Sequence, residues 1–270
     1  MRTLVCVADM PFAAPTVRYA GVISRLMPGV VTVLNVSDQP VDETEARETL
    51  SQAMRLLPGL EIEGLTLQGK PEEQIAHHIE TNNYDLVIMG ERESGLTDLF
   101  PSSVVRSVAN RVPAPIMVVK RERPSVERIL LCLAGRENEN GAVSLAARLA
   151  MGANARVTLL HVTDPLPSLY TGLATMEEKL AELLQTDTPV AQHLRKASAA
   201  FVDREIPTVL KLRHGSISHE ILAEAEERNY DLIVIGRTQP VSRIRRLWTR
   251  DVSKEVFDNA RCPVLSVAHR

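Results

Sequence analysis

Short, unbroken apolar runs punctuate the chain: "LVCVA" from Leu4, "VVTVLNV" from Val30, "LTLQG" from Leu65, "LVIMG" from Leu86 and "IMVV" from Ile116. Continuous rather than alternating hydrophobicity predicts strands covered on both faces, as in a parallel sheet. Helical periodicity fills the gaps. In "PTVRYAGVISRLM", Val17, Ala20, Gly21 and Ser24 fall on one stripe, widened by Tyr19, Ile23 and Leu26. In "KPEEQIAHHIETNN", Pro71 with Glu72 and Glu73 gives a helix start. Ile75, Ala76 and Ile79 mark its core side, and Asn82 and Asn83 close it. The order β-α-β-α-β-α-β-α-β with right-handed crossovers predicts a doubly wound, five-stranded parallel sheet.

The pattern then occurs again. "RTLVCVA" at Arg2 returns as "RILLCLA" at Arg128, and "VTVLNVSD" at Val31 as "VTLLHVTD" at Val157, both at an offset of 126. "GKPEEQIAHHIETNNYDLVIMG" from Gly69 matches "GSISHEILAEAEERNYDLIVIG" from Gly215, so the offset has grown to 146. "PAPIMVV" at Pro113 is echoed by "ARCPVLSV" near the end. Four blocks in one order describe a tandem duplication, with domains 1–122 and 127–270 joined through the charged, proline-containing "KRERPSVER".

The added residues predict a helical insertion in the second copy at about 166–205. "TMEEKLAELLQ" is one helix and "TPVAQHLRKASAAFVDRE" another. In the latter Thr188 can cap, with Pro189 first, and Val190, Leu194, Ala197 and Phe201 trace the buried stripe. Ile116–Val119 and Val264–Val267 end the two copies. Unpaired, each would leave a row of backbone donors and acceptors open, so pairing them predicts an internal pseudo-dimer, with further homodimerisation left open.

Composition narrows the function classes. A net charge of −3 exerts no overall pull on nucleic acid or anionic membrane, and 3% aromatics does not suit a base-stacking module. No apolar run approaches the ~20 residues that span a bilayer, and "MRTLVCVADMPF" reads as a strand rather than a signal peptide. Cys6, Cys132 and Cys262 lack ligand spacing and read as buried, reduced thiols of a cytoplasmic protein. The seven histidines form no H-E-x-x-H set, so no metal site is expected. A nucleophile elbow, a P-loop and a dinucleotide fingerprint are all missing, so an enzyme is not expected. Arg243, Arg245, Arg246 and Arg250 cluster around Trp248. They read either as an anion or partner patch or as a solvated helix face.

The doubled blocks, above all "YDLVIMG" and "YDLIVIG" with "PAPIMVV" and "RCPVLSV", resemble the universal stress protein family over essentially the whole chain. The resemblance implies a tandem member with the adenine nucleotide alpha hydrolase-like fold, sheet order 3-2-1-4-5 and dimerisation through the last strand. It also implies a nucleotide pattern: an acid after the first strand, then glycine, two residues, glycine, nine residues, and glycine followed by serine or threonine. Asp9, Gly90, Ser102 and Ser103 match it, with Gly95 one residue early and Glu93 where the second glycine belongs. Val36 and Val104 complete the implied nucleotide-binding set. In the second copy Gly135 replaces the acid, Gln239 the second glycine, and Pro240 removes a donor, so no site is expected there. Two functions stay open. One is a non-enzymatic stress-response protein with a degenerate site for ATP or another adenine nucleotide in its N-terminal domain. The other is a scaffold that binds no nucleotide and meets an unknown protein partner through its surface and insertion.

Overall fold

The computed structural model describes residues 1–38, 43–91, 100–136, 139–163, 176–237 and 252–268. The chain forms two compact units, one built on Met1–Pro124 with Arg261–Leu265, the other on Ser125–Ala260 and the residues from Ser266.

The first unit runs β1 (Arg2–Val7), α1 (Ala14–Leu26), β2 (Val30–Ser37), α2 (Glu43–Arg55), β3 (Glu61–Gln68), α3 (Pro71–Thr81), β4 (Leu86–Gly90), α4 (Ser102–Arg111) and β5 (Ile116–Val119). Its strands lie in the order β3-β2-β1-β4-β5, parallel at every pairing. All positions of β4 and β5 are buried, as their unbroken apolar runs require. Val17, Tyr19, Ala20, Gly21, Ile23 and Ser24 of α1 are buried and Leu26 only half-buried, so the stripe turns slightly off the predicted one. α3 buries Ile75, Ala76 and Ile79. Burying side chains of this size removes about 1.5–3 kcal/mol of apolar exposure each.

The chain continues with β6 (Arg128–Leu133), α5 (Asn140–Ala153), β7 (Arg156–Thr163), α6 (Met176–Gln185), α7 (Pro189–Val202), β8 (Thr208–His214), α8 (Ile217–Glu227), β9 (Leu232–Arg237), α9 (Val252–Asn259) and β10 (Val264–Ala268). The strand order is β10-β9-β6-β7-β8. Register carries the duplication down to single residues: Cys6 lies between Leu34 and Met89, and Cys132 between Leu160 and Ile235. All three cysteines are buried and outside any disulfide, and burial pushes the Cys6 thiol far up.

The repeated "YD" now has a physical reason. Asp85 Oδ2 accepts from the Arg2 backbone N–H at 2.8 Å, and Asp231 Oδ2 from Glu127 and Arg128 at 2.9 and 3.0 Å. In each unit this carboxylate ties the start of the fourth strand to the start of the first and satisfies backbone donors that would otherwise be open.

Between β7 and β8, α7 stands to β8 as α2 stands to β3, at the same offset of 146 from Glu43 to Pro189, which makes α6 the added helix. Thr188 caps α7 by accepting from Ala191 N at 3.3 Å. Its buried positions are Ala191, His193, Leu194, Ala197 and Phe201, while Val190 is half-buried. Among the described residues no helix is long and apolar enough to cross a membrane.

Candidate functional site

In a doubly wound sheet the strand order reverses between the first and fourth strands, and their carboxyl ends open into a crevice. In the first unit those strands are β1 and β4, with Cys6 level with Met89. Asp9 therefore follows β1 at the same edge where Gly90 ends β4. Asp9 is exposed, its Oδ1 accepts from Met10 N at 2.7 Å, and its carbonyl accepts from Ala13 N at 3.0 Å in the turn into α1.

Asn35 sets the position of this turn. From the buried interior of β2, its Nδ2 donates to the carbonyls of Val7 at 3.1 Å and Ala8 at 2.8 Å, where β1 runs out of ladder partners. Sequence reasoning passed over Asn35. The available signal was a polar residue inside an apolar run, answered by His161 at the matching place in the second copy. His161 does the same work: the Leu133 carbonyl can only accept, so His161 Nδ1 carries the hydrogen across 2.8 Å.

Val36 is buried at the end of β2, and Gly90 is buried at the end of β4. A parallel bridge between Glu91 and Phe100 returns the chain to the end of β4, and Ser102 follows two residues later as the first residue of α4. Pro101 is the N-cap, and its side chain offers no oxygen to cap the helix. The first N–H groups of a helix have no partner within it. Ser102 is half-buried, Ser103 exposed and Val104 buried. At the far end of α4, Arg111 makes a two-pronged contact with Glu80 of α3 at 2.9 and 3.2 Å. The structure thus gathers Asp9, Val36, Gly90, Ser102, Ser103 and Val104 at one edge of the sheet. Glu93 and Gly95 lie outside the described residues.

The charge beside Gly90 is compensated. Glu91 is 2% exposed, and Lys120 Nζ stands 3.3 Å from its Oε2. Oε2 takes no directed hydrogen bond among the described residues, so the contact is ionic.

The second crevice is built differently. At the place of Asp9 stands Gly135, with φ +78. A Cβ there would lie 2.9 Å from Val190 Cγ1 of α7, so the glycine is required both by its backbone and by its neighbour. Glu139, 2% exposed, turns its carboxylate back onto this turn. Oε1 accepts from Ala134 N at 2.7 Å, and Oε2 from Gly135 N at 3.1 Å and Arg136 N at 3.0 Å. His193 Nε2 of α7 is 3.1 Å from the same Oε2. It lies at hydrogen-bond distance but off the hydrogen-bond direction. At the place of Glu91 stands Arg237, a buried guanidinium whose pKa burial pushes down to about 10. Arg243, Arg245, Arg246 and Arg250 lie outside the described residues, as do Gln239, Pro240 and Trp248. Among the described residues no three His, Cys, Asp or Glu side chains come together as a cation site.

The comparisons agree with this architecture. The model of the universal stress protein family matches twice, over residues 1–120 and 125–268. A universal stress protein from Thermus aquaticus, encoded in a sulfhydrylase 3′ region, is 31% identical over 141 residues, spanning 52% of this chain and 96% of that protein. The crystal structure of a universal stress protein from Archaeoglobus fulgidus covers 99% of this chain and 96% of its own, at 17% identity and a TM-score of 0.73. A universal stress protein solved in complex with cAMP covers 53% of this chain and 98% of its own, at 19% identity and a TM-score of 0.41.

Proposed function

The chain belongs to the universal stress protein family, and from that premise we propose that its first unit senses an adenine nucleotide, ATP or a close relative, without turning it over. One observation carries the reading. An exposed carboxylate just after β1 and a helix start whose N-cap, Pro101, brings no side-chain acceptor stand on either side of the reversal point of one parallel sheet. Asp9 suits the exocyclic amine of adenine, a donor. The N–H groups and hydroxyls of Ser102 and Ser103 suit an anionic phosphate. Gly90, without a side chain, lets the ligand approach the backbone, and Val36 and Val104 supply apolar walls. Gly95 and Glu93 enter this reading by their sequence positions alone, Glu93 at the place of the family pattern's second glycine.

Calorimetric titration with ATP, with and without Mg²⁺, tests the proposal. We expect saturable binding that falls about tenfold or more in Asp9→Ala and in Ser103→Ala, the loss of roughly one good hydrogen bond. Glu93→Gly should tighten binding by relieving repulsion. No heat at millimolar nucleotide would discard the reading.

A second reading is favoured by Glu93, which takes the sequence position of the family pattern's second glycine, and by Glu139, which occupies the backbone donors of the turn after β6. It makes the protein a scaffold for a protein partner. Its mark would be an intact fold with no response to nucleotide.

A further inference from the structure

Two adjoining features of the second unit have no role in the nucleotide reading: a turn of convergent backbone N–H groups, and a buried acid that fills it. We propose that the turn after β6 is a carboxylate-binding nest whose resident ligand is the chain's own Glu139, and that this contact latches α7 shut over the second crevice.

Successive N–H groups that converge from a turn containing a left-handed residue form an anion-binding concavity. Ala134, Gly135 and Arg136 meet that description, with Gly135 at φ +78 and all three N–H groups within 2.7–3.1 Å of one carboxylate. The donors alone would be a feature of loop geometry. The second observation is His193, 5% exposed, whose Nε2 approaches the nest from a different element, lies 3.1 Å from Oε2 and makes no directed hydrogen bond among the described residues. A buried imidazole makes an energetically costly core residue unless it faces an acceptor. On α7 the predicted stripe is displaced so that Ala191 and His193, rather than Val190, are buried. Val190 is left against Gly135, covering the position from which an acid would reach a ligand.

The two walls act together. Glu139 neutralises the donors that an incoming carboxylate or phosphate would need, and its contact with His193 holds α7 where Val190 blocks entry. The turn after β6 therefore behaves as if permanently liganded, its anion supplied by the chain itself. No covalent bond is made or broken; the latch consists of the hydrogen-bonded carboxylate of Glu139 and the 3.1 Å approach of His193 to it.

Removing the resident ligand and supplying another from solution tests this. Glu139→Ala should lower the thermal midpoint by about 5–10 °C, because one buried and two partly buried donors lose their acceptor. Formate or acetate should restore much of that loss saturably in the variant and leave the wild type unchanged. Chloride at equal ionic strength should not restore it. Glu139→Gln, close in shape but carrying an amide that opposes the donors, should be destabilised and refractory to formate. Hydrogen exchange on the wild-type protein gives a reading that needs no variant: the amides of Ala134, Gly135 and Arg136 should be protected, although a turn carries them. Exchange there at the rate of an open loop would overturn the proposal. So would a Glu139→Ala protein that melts like the wild type, or one that formate and chloride restore alike.

Discussion

Val190 stands where any side chain at Gly135 would have to go, its Cγ1 2.9 Å from the Cβ that an alanine there would carry. The first unit has Asp9 at the equivalent place, exposed and turned by its own hydrogen bond to Met10. One fold has thus kept an acid at one crevice and excluded it from the other, by packing a helix from further along the chain against the turn.

Restoring the acid should therefore fail. Gly135→Asp meets both a left-handed backbone and Val190, and we expect a loss of about 2–4 kcal/mol in urea denaturation with no gain of nucleotide affinity. Adding Val190→Ala should recover part of the stability, because it removes the clash and leaves only the backbone strain.

Asn35 is expected to matter for both stability and binding. Asn35→Leu keeps the volume but leaves the carbonyls of Val7 and Ala8 without their donor. The cost should be about 1–3 kcal/mol in denaturation. Because Asp9 directly follows Ala8, titration of the same variant should show weakened nucleotide binding. Binding that stays unchanged would separate Asn35 from the site.

The two ends of the Glu91–Lys120 pair should respond unequally, since Glu91 is the more buried, with side-chain exposures of 3% and 13%. Lys120→Met leaves a buried carboxylate facing no cation and should cost about 3–5 kcal/mol. Glu91→Gln leaves a lysine that can reach water and should cost only about 1 kcal/mol. Equilibrium denaturation of the two variants side by side checks the order.

Acid sensitivity is expected from Glu224. Burial pushes its carboxyl up, but hydrogen bonds from Lys211 and Arg213 outweigh that and hold it below the ordinary glutamate range. A folded pKa below the unfolded one contributes stability that is fully present above the unfolded value and is lost as the pH falls through the folded one. Glu224→Gln should thus be less stable than the wild type at about pH 7, with the gap closing as the pH falls below the ordinary glutamate range. A constant gap in denaturation across that range would remove Glu224 from the acid response.

The fold was legible where its causes are local or repeated. Unbroken apolar runs mark strands covered on both sides, Pro71 and Thr188 mark helix starts, and two copies at offsets of 126 and 146 confirm each other. Asp9, Gly90, Ser102 and Ser103 are singled out by the resemblance to the family's pattern, and the strand order brings the element ends that carry them to one edge. The amide of Asn35, the ion pair of Glu91 and the carboxylate of Glu139 were not legible. Each side chain is read by its type in a sequence, but its role depends on which partner lies within about 3 Å, and that is set by how elements pack.

The sequence by itself determined two doubly wound units of common descent, an acid retained in one and lost in the other, and helix and strand order throughout. Only the tertiary structure decided that the lost acid's place is filled from α7 and that Glu139 serves as the anion of its own turn. Periodicity and spacing act along the chain and are written into it. The meeting of Gly135 with Val190, and of Glu139 with His193, is created when separate segments exclude water from between them, and no local pattern encodes that event.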